Sequence, residues 1–418
     1  MTTGWTSQDH LPRTDRAPRV MLYSHDTFGL GHLRRSRALA GAITRADPSA
    51  SALILTGSPV AGRFAFPRRV DHIRLPGVTK RSDGSYIAQT LGMDIEEITD
   101  LRAALIETSA RQYDPDILIV DKEPSGFRGE LLPTLKLLRD GGRARLVLGL
   151  RDVLDDPALL AAEWARKEAV EAVQDYYDEI WVYGLRDVYD PVAGIDLGAE
   201  ARARMHWTGY LRRELGQGTP AAGPAEPENA PYILITPGGG GDGEFMVDLV
   251  LSAYESDPTL APRAVIVYGP FLSGETRADF ETRVARLNGR VSAVGFESQI
   301  EPLFANAQGV VCMGGYNTFC EVLSFDRRAV IVPRTVPRLE QWIRASRAEE
   351  LGLVRMLEDG RDGLTPEAMI RAIRELPTQP LPSQAMQNGH LTGLLDGLDY
   401  VTRRVAALLH QQAEQAAE

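Results

Sequence analysis

Two histidines flank a glycine-bearing loop near the start of the chain, Ser24-His25-Asp26-Thr27-Phe28-Gly29-Leu30-Gly31-His32. Gly29 and Gly31 let the backbone turn tightly and approach a ligand, and the unpaired N–H groups of a helix starting there attract an anion. A histidine at such a turn, His25 or His32, stands beyond the carboxyl end of a strand, where parallel sheets gather their ligands. The loop is either a capped strand-to-helix turn or an acceptor or diphosphate loop with a histidine at the cleft. Position 34 is Arg where the dinucleotide fingerprint needs its third glycine, which argues against an NAD site. Arg34, Arg35 and Arg37 follow in the helix; Arg34 is assigned to the anion loop, and some of the three belong to a solvated face.

Asp121-Lys122-Glu123-Pro124 follows an apolar run at 116–120. A carboxylate at a strand's carboxyl end suits a general base toward an acceptor hydroxyl, and an acidic helix-capping loop is the competing reading. His32 and Asp121 are equal candidates for that base. Arg151 and Asp152, after the run at 144–150, either line the same cleft or form a surface ion pair.

Further along, Pro237-Gly238-Gly239-Gly240-Gly241-Asp242-Gly243 can wrap successive N–H groups around a phosphate oxygen, or can be a merely flexible loop. No Gly-Lys-Ser/Thr follows, so it is not the phosphate loop of an ATPase. Met313-Gly314-Gly315-Tyr316-Asn317-Thr318-Phe319-Cys320-Glu321 is the most informative stretch. Gly314 and Gly315 open a helix for which Asn317 and Thr318 are natural caps. Glu321 lies near its first turn, where a carboxylate can accept two ribose hydroxyl hydrogen bonds or simply rest on the helix N-terminus.

These pieces need a scaffold, and the pattern supplies one. Short apolar runs at 19–24, 51–56, 70–75, 116–120, 144–150 and 179–182 alternate with amphipathic stretches at 33–46, 94–112, 129–139 and 157–177. That alternation predicts a parallel sheet with helices on both faces. The segment 216–230 is dense in Gly, Pro and Ala and reads as a linker, after which the same grammar restarts. Strands are predicted at 232–236, 264–268, 291–294, 309–313 and 329–332, with helices at 244–254, 300–305, 317–323 and 339–351. The predicted organisation is a flexible tail at 1–18, a domain at 19–215, the linker, a second domain at 231–383 and a helical segment at 384–418 that packs back on the first domain.

The second-domain motifs resemble the GT-B glycosyltransferases, specifically the family whose C-terminal domain is shared with the lipid II-forming N-acetylglucosaminyltransferase. The resembling pieces are Gly29-Leu30-Gly31-His32, the glycines 238–241, Gly314-Gly315-Tyr316-Asn317-Thr318 with Glu321, Ala329-Val330-Ile331-Val332-Pro333-Arg334 and Glu340-Gln341. The overall look is that of an uncharacterised branch of predicted glycosyltransferases. The resemblance implies two Rossmann-like domains with parallel sheets facing across a cleft. It implies transfer of a sugar, of the hexosyltransferase type, from a nucleotide-diphosphate sugar to an acceptor hydroxyl. The donor is expected to be UDP-linked, and the acceptor a small molecule, carrier lipid or glycan in polysaccharide or glycoconjugate synthesis. Glu321 would hold the ribose, Gly314 and Gly315 would face the diphosphate, Gln341 would contact the donor sugar, and His32 would lie beside diphosphate and acceptor. No cofactor and no metal are expected, since helix N-termini and arginines can stabilise the leaving charge. Two other classes share the architecture: a sugar-nucleotide 2-epimerase and a noncatalytic nucleotide-sugar-binding protein.

Bulk properties narrow the field. With 418 residues the chain exceeds one ordinary core, which fits two domains. Lys plus Arg number 46 against 57 Asp plus Glu, a formal net charge of −11 that argues against a nucleic-acid partner. Cys312 and Cys320 match no metal-ligand spacing and read as buried thiols in a reducing compartment. Residues 1–18 show no apolar signal region, and no run approaches the roughly 20 apolar residues of a membrane helix. The expected location is the cytoplasm, with peripheral membrane contact left open.

Overall fold

The computed structural model describes residues 16–25, 30–80, 86–215, 231–239, 241–387 and 391–417. Gly29, Gly240 and the linker 216–230, together with the tail up to residue 15, lie outside the described residues.

The first sheet contains β1 (Arg19–Ser24), β2 (Ser51–Thr56), β3 (Val70–Arg74), β6 (Ile117–Asp121), β7 (Arg145–Arg151), β8 (Glu179–Tyr183) and β9 (Met205–Trp207). Its order is β3-β2-β1-β6-β7-β8-β9, with every pairing parallel. A small antiparallel ribbon, β4 (Val78–Lys80) with β5 (Tyr86–Ala88), stands apart. The second sheet, ordered β12-β11-β10-β13-β14-β15, is also parallel. Its strands are β10 (Tyr232–Thr236), β11 (Arg263–Val267), β12 (Val291–Val294), β13 (Gly309–Cys312), β14 (Ala329–Ile331) and β15 (Arg355–Met356). Central strands such as β1 and β6 are apolar on both faces because helices cover both, which removes the alternation that a half-exposed sheet would show.

In both sheets the chain crosses over at the centre. β1 lies beside β6, and β10 beside β13, so each sheet has a topological switch point where loops splay apart and leave a crevice. The loops after β1, β6, β10 and β13 are the four that carry the sequence motifs.

Several elements depart from the predicted pattern, among them β4, β5, β9, β15 and the helix Pro366–Glu375, none of which was predicted. The stretch 157–177 is two helices, Pro157–Arg166 and Ala169–Tyr176, broken where Glu168 takes a left-handed backbone with φ 50°. Amphipathic periodicity continues across that break and hides it. The helix Gly274–Arg286 was not predicted: Phe280 is its one buried residue, too narrow an apolar stripe to register. The helix Pro382–Met386 straddles the predicted boundary at 383 and stays with the second domain, where Ser383 donates to Asp326.

The helix Gly397–Ala417 returns to the first domain. Arg404 Nε donates to Glu179 at 2.8 Å, and Gln412 donates to the carbonyl of Asp116 at 2.9 Å. One apolar cluster runs from Val20 and Leu22 through Tyr210, Tyr316 and Phe319 to Leu234 and Val310, joining the two domains. Among the described residues no helix is long and apolar enough to cross a membrane.

Candidate active site between the two sheets

His32 and Asp121 meet because β1 and β6 are neighbours. His32 sits in the first turn of the helix Gly31–Ala46, and Asp121 is the last residue of β6. His32 Nδ1 lies 2.5 Å from Asp121 Oδ2. Arg35, one turn after His32, grips the same carboxylate through Nε at 2.8 Å and Nη2 at 2.6 Å. Burial raises the Asp121 pKa, but the Arg35 guanidinium and His32 outweigh it and hold the carboxyl well below the usual range. An ionised carboxylate only accepts, so at this separation Nδ1 carries the proton. Burial lowers His32 to about 4 against the pull of Asp121, so the imidazole is neutral at pH 7. Its Nε2 lone pair then points away from Asp121, and the side chain keeps 15% exposure. His25 stacks edge-on to His32, with ring centroids 5.8 Å apart, and burial lowers it to about 3.

Asp121 does not cap a helix, and Arg35 is not part of a solvated face: the two are 3% and 1% exposed. Glu123 leaves the dyad and pairs with Lys122 at 3.0 Å and Lys167 at 2.8 Å.

Opposite this dyad, β13 leads through Gly314 and Gly315 into the helix Tyr316–Ser324. Gly314 has φ +75°, and a Cβ there would meet Ile331 Cγ2 at 2.7 Å, so both backbone and space require glycine. The expected cap is not formed. Gly315 occupies the N-cap, and Asn317 reaches across the domain boundary instead. Its Nδ2 donates to the Gly31 carbonyl at 3.0 Å, and its Oδ1 accepts from Arg213 Nη2 at 2.6 Å. The two helices beginning at Gly31 and Tyr316 thus start beside each other. Neither has a side-chain cap or an acidic residue in its first turn, so both leave N–H groups and positive dipole ends for an anion. Thr318, one residue on, is buried in the same turn.

Glu321 is buried within this boundary and ion-paired with Arg34 of the first domain, which also lies 3.4 Å from Glu301. Burial raises the Glu321 pKa, with Arg34 opposing. Gly238, with φ +86°, and Gly239 pack against the loop after β11, where Phe271 N donates to the Gly239 carbonyl at 3.1 Å. Gln341 opens the helix Glu340–Glu350; its Oε1 accepts from Arg334 N at 3.2 Å, leaving its amide NH2 to donate. Arg334 joins Asp242 at 2.8 Å to Glu340 at 2.7 Å and so ties the glycine loop to the Gln341 turn.

Sequence reasoning named Asp152, as a cleft residue or a surface ion-pair partner, but not the groups that join it across the two halves. Asp152 is fully buried rather than a surface ion-pair partner. It accepts from Arg344 at 2.7 and 2.6 Å and from Tyr210 at 2.8 Å, while Arg344 also donates to the Gly314 carbonyl at 2.9 Å. Arg338 crosses to Asp155 at 3.0 Å. The Tyr316 ring lies between the Arg35 and Arg344 guanidiniums, at 5.3 and 5.8 Å. The His32-to-Arg35 spacing of one helical turn was a usable signal for Arg35; the Asp152–Arg344 pair had none. Among the described residues no group of three or more His, Cys, Asp or Glu could hold a metal ion.

Residues 234–397 match the model of the glycosyltransferase family 28 C-terminal domain. No curated protein matches the sequence. Among solved structures, TcCGT1 in complex with UDP is similar at TM-score 0.67 and 11% identity, covering 95% of this chain and 100% of that one. UGT71G1 of Medicago truncatula complexed with UDP-glucose gives 0.62 and 15%, covering 94% and 98%. The calicheamicin glycosyltransferase CalG4 gives 0.55 and 17%, covering 94% and 99%. The chain has the GT-B fold, as the resemblance in its sequence implied, and its residues 234–397 are similar to the family 28 C-terminal domain.

Proposed function

We propose that this chain is a metal-independent, UDP-sugar-dependent glycosyltransferase in which His32 is the general base. The observation that carries the reading is the chain Arg35–Asp121–His32, set against two open helix N-termini at the domain boundary. Asp121 fixes the Nδ1–H tautomer, so Nε2 takes the proton from an acceptor hydroxyl. The oxygen attacks the anomeric carbon as the bond to the diphosphate oxygen breaks, inverting the anomeric centre. Charge that develops on the diphosphate falls on the N-termini at Gly31 and Gly315, which stabilise it without reorganising. This supply of fixed positive ends is the basis for proposing no metal. Glu321 receives the ribose hydroxyls once Arg34 moves off it, and Gln341 donates to the transferred sugar. UDP is favoured because similar structures hold UDP or UDP-glucose.

Incubation with UDP-sugars tests the reading. The expected result is UDP release that rises when an acceptor is added, with no epimerised sugar in its absence. Epimerised UDP-sugar without acceptor would instead establish the 2-epimerase, and tight binding with no turnover of any nucleotide sugar the noncatalytic binder.

A further inference from the structure

Beside the dyad, the helix Gly31–Ala46 presents Arg34, Arg37 and Arg45 to a pocket of about 320 Å³, and the chain leaving the first domain adds Arg212 and Arg213. Glu301 closes it from the second domain. The charges do not balance. Arg34 has Glu321 and Glu301, and Arg45 has an exposed partner, Glu214, at 3.8 Å. Arg213 donates to the neutral Asn317. Among the described residues Arg37 and Arg212 have no ion pair and no hydrogen-bond acceptor. Arg37 Nε is enclosed, and its guanidinium lies over Phe64 and Phe66, 5.1 and 6.0 Å from the ring centroids. Burial, with Arg34 and Arg213 adding to it against Glu301, lowers the Arg37 pKa to about 10. Enclosing a guanidinium among other cations is costly unless an anion joins them.

We propose that this pocket binds a phosphate group, separately from the site between the helix N-termini. Arg37 and Arg212 supply two planar donor forks, geometry that suits phosphate oxygens, with Arg45 at the rim. The aromatic floor under Arg37 keeps its fork in place, and the volume accommodates a phosphate ester rather than the ion alone. The phosphate belongs either to a soluble ester or to a lipid headgroup; one experiment separates these. The assignment rests on the pocket alone and is independent of the transferase reading.

The test measures thermal stability of the full chain in inorganic phosphate and in sn-glycerol 3-phosphate against chloride at equal ionic strength. It is repeated for Arg37→Met and for the exposed Arg212→Ala, which leaves the interior intact. Both phosphates are expected to raise the wild-type midpoint, and each variant to need at least about fivefold more ligand for the same shift. Co-sedimentation with phosphatidylglycerol vesicles, and not with phosphatidylcholine vesicles, that is lost in both variants supports the site with a lipid source. Stabilisation by glycerol phosphate without vesicle binding supports it with a soluble one. A wild-type midpoint the same in phosphate and chloride overturns the proposal, as does unchanged phosphate dependence in Arg212→Ala together with Arg37→Met.

Discussion

Replacing His32 by alanine separates chemistry from folding. Asp121 keeps both bonds to Arg35 in the variant, at 2.8 and 2.6 Å, so no buried charge is orphaned. The loss is one hydrogen bond to a charged group, about 1.5–3 kcal/mol, against a total stability of about 5–15 kcal/mol. The protein therefore stays folded. Removing a positioned general base costs about 10²–10⁴ in rate, or about 3–6 kcal/mol at about 1.4 kcal/mol per tenfold. UDP affinity should stay within about threefold, because His32 contributes no donor grip in this reading. The assay is UDP release from a turned-over UDP-sugar as a function of pH, with circular dichroism at each pH. A base works unprotonated, and burial puts His32 at about 4 instead of 6.5. Wild-type kcat/KM should thus be flat from neutrality down to about pH 5 and fall toward 4. An acid limb near 6.5, or an alanine variant within about threefold of wild type, would falsify the assignment of His32 as base.

Glu321→Gln should weaken UDP binding by about tenfold or more in calorimetry, because a carboxylate's hydrogen bonds to hydroxyls exceed an amide's; unchanged affinity removes the ribose role. Arg344→Met leaves Asp152 at 0% exposure without its cation and should cost about 3–5 kcal/mol in denaturant unfolding. Much of that loss should return in Arg344→Met with Asp152→Leu, and additive losses in the double variant would show the pair is not coupled. Gly314→Ala drives a Cβ to within 2.7 Å of Ile331 at a left-handed backbone, so it should destabilise by about 1–3 kcal/mol and weaken UDP binding. Normal stability with normal binding would show that this turn relaxes freely.

Much of the architecture can be read one residue after another. Apolar runs separated by amphipathic stretches specify parallel strands and covering helices, since burial on both faces leaves a local hydrophobic signature. Glycine-led turns such as Gly314-Gly315 are equally local, because left-handed backbone excludes other residues within the turn itself. The partnerships are another matter. His32 and Asp121 stand 89 residues apart, Arg344 and Asp152 192, and Arg34 and Glu321 287. Each pair exists because of strand order and domain packing. Asn317 shows the difference at one position: its local chemistry suits a helix cap, yet it bonds Gly31 and Arg213 across the boundary. A local hydrogen bond is replaceable by backbone or water, whereas polar groups buried between two domains must be satisfied by whatever the packing brings within reach.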